Sequence, residues 1–278
     1  MTSDPTADTA PVLPAPLATG RGASPCLVRL TRGPRTANPR LRLFLFPYAG
    51  GSAGVFREWP GHFGAGCELF GVQLAGRGPR LRERACSDAE RLVHELADAV
   101  GAAAAGRPFA LLGHSLGAAL AYRVARELAR RGAAEPDCLF LGARKAPHLP
   151  ATRGEVASLD DRAFIAHLRS LQGTPKALLE DAGLMSLLLP TLRADFALLD
   201  HWQREAAVPG APAPLRQPIY ALAGRHDAHC RPVDAAAWAA YTSGAFELSD
   251  YAGGHFFIHS HQDQVIADMR RRLAPLLD

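Results

Sequence analysis

Residues 109–132 read FALLGHSLGAALAYRVARELARRG, and the punctuation of that stretch decides the fold. Phe109–Leu112 is a short continuous apolar run, the pattern of a central strand covered on both faces. From about Leu116 to Arg131 the period changes: Leu116, Leu120, Val124 and Leu128 recur four apart, along one helical stripe. Arg130, Arg131 and Gly132 close that helix, with cations at the negative end of the dipole and a glycine suited to a left-handed cap. Only Gly113-His114-Ser115-Leu116-Gly117 separates the two patterns, so a serine stands at the apex of a sharp strand–turn–helix bend.

The same alternation runs outward in both directions. Strands are expected at Cys26–Leu30, Leu41–Phe46, Glu68–Leu74, Cys138–Ala143, Ile219–Ala223 and Phe246–Ser249. Ser87-Asp88-Ala89-Glu90 reads as a capping box before the helical spacing of Leu92, Val93, Leu96 and Val100. A last helix is expected over about Gln262–Leu277. Strands alternating with helices give an α/β fold whose sheet is mostly parallel and flanked by helices. One stretch breaks the rhythm: residues 147–215 carry helical patterns with no strand between them. There Ser158 is expected to cap a run holding Phe164, Ile165, Leu168 and Leu171, which Gly173-Thr174-Pro175 ends. An apolar run at Leu184–Leu189 and a further helix over Leu192–Trp202 follow, and Pro209, Pro212 and Pro214 mark the return to the sheet. We therefore expect a disordered leader over 1–25, rich in Pro, Ala and Thr, and a single domain over 26–278. The stretch 147–215 is expected to be a helical insertion into that domain, serving as a lid.

Composition narrows the function. The chain has 278 residues, 48% hydrophobic and 21% charged, enough apolar material for a large core. Its net charge of +4 is too mild for a nucleic-acid binder, whose basic residues gather in a dense patch. No uninterrupted apolar run reaches the roughly 18 residues that span a membrane. The N-terminus lacks the basic and apolar regions of a secretory signal. Five cysteines, far apart and without metal-ligand spacing, fit reduced thiols in a cytoplasmic protein.

The chemistry lies in the bend. Gly-x-Ser-x-Gly is a common string, but at a strand-to-helix turn it presents a serine as a nucleophile, and its glycines leave room for neighbouring backbone. The Leu116 N–H, at a helix start, can stabilise an oxyanion. A serine needs a base and an acid to orient that base, and in this topology they follow in the order Ser, Asp or Glu, His. Asp227, after the IYALA strand, and His255, in a glycine-flanked loop after the next strand, meet that order. His226 and His229 flank Asp227, preceding it or nearly so, His259 and His261 are expected to open the last helix, and His114 sits inside the bend. Asp250 is expected to end a strand and Asp234 to lie in a helix. The pair His226-x-x-His229 offers no third metal ligand. A second oxyanion donor is expected after an early strand, where Pro47-Tyr48-Ala49-Gly50-Gly51-Ser52 follows LRLFLF: the Ala49 N–H first, Gly50 as alternative.

These segments resemble the stand-alone type II thioesterases of polyketide and nonribosomal-peptide biosynthesis, which are α/β-hydrolases. The resemblance runs from about Leu41 to the C-terminus. It is carried by FPYAGGSAGVFREW (46–59), LAGRGPRLRE (74–83), GHSLGA (113–118), AGRHD (223–227) and YAGGHFF (251–257). LDDRAFIAHLRSLQGTP (159–175) and LLLPTLRADFALLDHW (187–202) look like the family's lid helices. The resemblance implies hydrolysis of acyl groups from the phosphopantetheine arm of acyl- or peptidyl-carrier proteins, in trans, with no metal or redox cofactor. Two positions depart from the family pattern, Tyr48 where histidine is usual and Ala75 where proline is usual. Both are expected at the pocket entrance. The arginines at 77, 80, 82 and 84 are a candidate docking rim for an acidic carrier protein, or simply a solvated basic loop. Rival readings are a carboxylesterase or lipase acting on oxygen esters, a non-catalytic binding protein of the same fold, and a cyclising or acyl-transferring enzyme. The chain opens on its own Met1 and leader, which favours hydrolysis over the last.

Overall fold

The computed structural model describes residues 24–32, 38–150, 154–171, 173, 176–206 and 213–277. Nearly all of the expected leader lies outside them, as do Thr174, Pro175, Pro209 and Pro212. The described residues form one seven-stranded sheet of β1 (Leu27–Arg29), β2 (Leu41–Phe46), β3 (Cys67–Val72), β4 (Phe109–His114), β5 (Cys138–Gly142), β6 (Ile219–Gly224) and β7 (Phe246–Tyr251). Their order across the sheet is β1-β3-β2-β4-β5-β6-β7. Every neighbouring pair is parallel except β1 with β3. This is the mostly parallel α/β sheet expected from the alternation.

Strand ends differ from the apolar runs where backbone pairing outlasts apolarity. β4 continues past Leu112 because Gly113 and His114 pair with Leu141 and Gly142 of β5, which carries the sheet up to Ser115. β7 extends to Tyr251 for the same reason, in register with Gly224.

The central strands are buried on both faces, with side chains alternating between two cores. Along β2, Phe44 and Phe46 join one core with Phe70, Phe109 and Leu111. Leu41, Leu43 and Leu45 join the other with Phe56, Trp59 and Phe140. Helices α1 (Ala89–Ala104) and α2 (Leu116–Arg130) cover the first face. The cap of α1 is Asp88, whose side chain accepts the Arg91 N–H at 3.0 Å, and not the Ser87 of the expected capping box.

Helices α3 (Asp161–Leu171), α4 (Lys176–Glu180) and α5 (Ala182–Ala206) lie between β5 and β6 and pack on the same face. Asp160, rather than Ser158, caps α3 by accepting the Ala163 N–H at 2.8 Å. The two helices expected over 184–202 are one helix of 25 residues with Pro190 inside it. By length and composition α5 is apolar enough to cross a bilayer, at a mean hydropathy of 1.4. In the fold its Leu192, Phe196, Leu199 and Trp202 belong to the core. After β6 come α6 (Pro232–Ala236), α7 (Phe257–Ser260) and α8 (Gln262–Leu277), and the last of these packs Val265, Ile266, Met269 and Leu273 into the second core.

One contact joins the start of α2 to the sheet: a Cβ on Gly117 would lie 2.0 Å from the Phe46 carbonyl oxygen. Backbone cannot yield as a flexible side chain does. Gly117→Ala is therefore expected to destabilise the protein by about 2 kcal/mol or more, read as a fall in the urea midpoint at constant m.

Candidate active site

Ser115 follows β4 at φ 56° and ψ −112°, a left-handed conformation that costs a non-glycine residue about 1–3 kcal/mol. The surrounding backbone holds it there. Its N–H donates to the Gly142 carbonyl at 2.8 Å, and its own carbonyl accepts the Ala118 N–H at 3.1 Å. A Cβ on Gly113 would lie 2.0 Å from the Gly117 carbonyl oxygen, so the bend closes on itself only with glycine there.

Asp227 and His255 reach Ser115 from the loops after β6 and β7. Those loops are stitched together: Arg225 N–H donates to the Tyr251 carbonyl at 2.8 Å and His226 N–H to that of Gly253 at 2.9 Å. A Cβ on Gly224 would sit 2.4 Å from the Gly254 carbonyl, so small residues are required at this crossing. The result is a linear chain of side chains. His255 Nδ1 lies 2.8 Å from Asp227 Oδ2, and His255 Nε2 lies 3.1 Å from Ser115 Oγ. The carboxylate fixes the proton on Nδ1, leaving Nε2 to accept from the serine hydroxyl. Asp227 is 2% exposed. Burial raises its carboxyl, but the hydrogen bond and charge of His255 and the N–H groups of His229 and Cys230 outweigh it, and the net shift is downward. Asp227 therefore stays ionised, as a partner for an imidazolium must.

His114 buttresses the base. It is buried, and its Nε2–H donates to the His255 carbonyl at 2.7 Å. Burial first, then the neighbouring charge of His255, holds its imidazole down at about 3, so it is neutral at physiological pH.

The loop after β2, where the sequence placed an oxyanion donor, is held by a group the sequence reading missed. Asp195, in the middle of α5, accepts the Gly50 N–H at 2.7 Å. Its carboxylate also takes both ends of the Arg77 guanidinium, at 2.6 and 2.7 Å. The Gly50 N–H is thereby occupied, which removes it as an oxyanion donor. Among the described residues no protein acceptor takes the N–H of Ala49 or Leu116. An aspartate on the apolar stripe of Leu192, Phe196 and Leu199 was the available signal, because a buried charge demands a partner.

Arg77 is therefore not part of an exposed basic rim. Arg80 is tied to Glu83 at 2.6 Å, leaving Arg82 and Arg84 as exposed arginines in that loop without a bonded partner among the described residues. Ala75 is not among the residues that line the cavity beside Ser115, and its carbonyl accepts from Arg77 at 3.3 Å. Tyr48 does line the pocket; its ring meets Phe256 edge-on at 4.8 Å and its hydroxyl lies 2.9 Å from His259 Nε2. His259 thus belongs to α7 and the pocket rim, while His261 directly precedes α8. Of the other candidates, His226 is exposed, and Asp234 and Asp250 are engaged by Arg231 at 3.0 Å and Arg225 at 2.9 Å. His229 donates its N–H to Asp227 Oδ1 at 2.8 Å. Among the described residues no three His, Cys, Asp or Glu side chains gather around a possible metal.

Above Ser115 opens a cavity of about 130 Å³, walled by Val156, Leu168, Leu171, Leu192, Phe196 and Leu199. Five of these six come from α3 and α5, and Val156 comes from the segment leading into α3. The cavity thus has apolar walls, with the Ser115 hydroxyl, the His255 ring and two free N–H groups at one end.

Comparison with known proteins agrees with this geometry. Residues 41–273 match the profile of the thioesterase domain family. The gramicidin S biosynthesis protein GrsT of Aneurinibacillus migulanus is 36% identical over 238 residues, covering 86% of this chain and 91% of that protein. The RedJ thioesterase from the prodiginine pathway of Streptomyces coelicolor superposes with a TM-score of 0.76 at 36% identity, covering 86% of this chain and 94% of RedJ. YbtT, the type II thioesterase of the yersiniabactin pathway, gives a TM-score of 0.80 at 30% identity, covering 91% of this chain and all of its own, 100%.

Two outcomes follow from the buried charges. Asp195→Ala leaves Arg77 buried without its partner and is expected to cost about 3–5 kcal/mol in urea unfolding, with Asp195→Asn milder. His114 is neutral in the native state, whereas an unfolded histidine titrates near 6.5. Between that pH and about 3, the unfolded chain binds a proton that the native state does not. Stability should therefore fall on acidification by up to about 1.4 kcal/mol per pH unit from this group. Unfolding free energies measured from pH 7 downward should show a shallower slope in His114→Gln.

Proposed function

The chain belongs to the thioesterase family, and on that premise we propose that Ser115, His255 and Asp227 hydrolyse acyl groups from the phosphopantetheine arm of acyl- or peptidyl-carrier proteins. The observation that carries the reading is the Ser115–His255–Asp227 chain, with its contacts of 3.1 and 2.8 Å, beneath an apolar cavity. Ser115 Oγ attacks the thioester carbonyl carbon while His255 Nε2 takes its proton. The oxygen that becomes negative is held by the Ala49 and Leu116 N–H groups, the second at the positive end of α2. Collapse breaks the C–S bond, and the imidazolium returns its proton to the departing thiolate. Water, deprotonated by His255, then attacks the acyl-serine and releases the acid. Asp227 holds the ring in the required tautomer and stabilises its charged form throughout.

In this reading residues 26–278 are one catalytic domain, and the insertion over about 147–215 is its lid, which keeps bulk water from the acyl-enzyme. The reaction asks for no cofactor beyond the phosphopantetheine that the substrate carries. The partner is a carrier protein of a polyketide or nonribosomal-peptide synthase, met in trans. Cys26, Cys67, Cys86, Cys138 and Cys230 are all free, which suits a cytoplasmic enzyme.

The test is thiol release from acyl-carrier proteins, run beside Ser115→Ala and a matched oxygen ester. Ser115→Ala should lower kcat/KM by about 10⁴-fold or more. A variant that kept its activity, or an ester hydrolysed far faster than the thioester, would sink the proposal.

A further inference from the structure

Three charged residues that the mechanism does not use, Arg144, Lys145 and Asp200, line the acyl cavity. Arg144 stands two positions after Gly142, whose carbonyl accepts the Ser115 N–H at 2.8 Å, so the chain sets it beside the nucleophile. Its side chain lines the cavity that also holds Ser115 and His255. The Arg144 carbonyl is engaged, by Trp238 Nε1–H at 2.7 Å. Its guanidinium is not: among the described residues no carboxylate, carbonyl or ring forms a hydrogen bond, ion pair or cation–π contact with it.

Several polar groups around it have partners elsewhere. Asp200 accepts the Val156 and Ala157 N–H groups at 2.9 and 2.8 Å. Gln203 donates to the Leu149 carbonyl at 3.0 Å. Lys145 faces Asp234 at 3.9 Å, and Arg123 pairs with Glu205 at 2.8 Å. Burial disfavours the charge of Arg144, although arginine stays protonated in proteins. A half-buried guanidinium with nothing to bond is costly to hold in an apolar pocket unless a ligand supplies the acceptor.

Resting on the thioesterase reading above, we propose that Arg144 is a subsite for a keto oxygen on the acyl chain. The enzyme then favours keto-bearing acyl thioesters over plain alkanoyl thioesters of equal length. A neutral oxygen fits better than a carboxylate, because the Asp200 carboxylate lines the same cavity and acts electrostatically on Arg144. The cavity of about 130 Å³ resembles in size the ~150 Å³ apolar cavity known to hold benzene, which sets a six-carbon chain as the probe.

The experiment compares hexanoyl, β-ketohexanoyl, δ-ketohexanoyl and adipoyl thioesters of pantetheine in the wild-type, Arg144→Met and Arg144→Lys proteins. A keto isomer should exceed hexanoyl in kcat/KM by about tenfold or more, the scale of one hydrogen bond to a charged group. Arg144→Met should erase that ratio while hexanoyl turnover persists, and Arg144→Lys should restore part of it. Equal ratios in wild type and Arg144→Met overturn the proposal. So does an adipoyl preference that Arg144 carries, since the subsite would then be one for anions. Calorimetric binding of the δ-ketohexanoyl and hexanoyl amides of pantetheine to Ser115→Ala reads the same preference without chemistry. If no thioester is hydrolysed, the thioesterase reading fails, while the amide ratio still decides the subsite. Thermal unfolding of each variant separates a lost subsite from a lost fold.

Discussion

The active site depends on a backbone contact that leaves no space for a side chain. The start of α2 presses against the end of β2, where Gly117 faces the Phe46 carbonyl, and the bend before it folds Gly113 onto Gly117. That approach does two things at once. It forces Ser115 into a left-handed conformation with its hydroxyl presented to the cavity, and it brings the loop after β2 alongside the positive end of α2. The Ser115 hydroxyl and the free N–H groups of Ala49 and Leu116 are therefore placed by a single close packing. The strain at Ser115 persists because β4, β5 and α2 each hold one side of the bend by hydrogen bonds.

The parallel sheet supplies the rest of the convergence. Parallel strands end on the same edge, so the loops after β2, β4, β6 and β7 all open toward one crevice, where ligands of open α/β sheets bind. The ladder from β6 to β7 runs in register to Gly224 and Tyr251. Beyond it the acid and base loops remain bonded to each other, which fixes the separation of Asp227 and His255 before any substrate arrives. Preorganisation of this kind is what makes a hydrogen-bonded triad effective, since no reorganisation is needed as charge develops.

Buried charge is handled by pairing or by neutrality, and each solution ties separate elements together. Asp227 is held ionised by His255 and backbone N–H groups. His114 is held neutral and donates a hydrogen bond to the carbonyl of His255. Arg77 and Asp195 pair across the loop after β3 and helix α5, and Asp195 reaches on to Gly50. Helix α5 is thus fastened to the loop after β2 by a charged contact as well as by apolar packing. Arg144 breaks the pattern, which is why it points to a ligand.

The amino-acid sequence determined the α/β-hydrolase sheet, the bend at Ser115, and the order in which Asp227 and His255 follow it. Those features are written in local periodicity, in glycines at tight turns and in chain order, all of which act over a few residues or along one dimension. It also carried β2 and α8 to their ends, because apolar runs and helical stripes coincide there with the backbone pairing. Tertiary structure decided what depends on partners far apart in the chain. Whether Arg77 is a surface cation or half of a buried pair turns on Asp195, more than a hundred residues later. Whether Gly50 or Ala49 keeps a free N–H turns on the same carboxylate. The union of two expected helices into α5, and the lack of a bonded partner for the Arg144 guanidinium among the described residues, follow equally from packing. Pairing and exclusion between distant side chains are three-dimensional facts, and no local pattern encodes them.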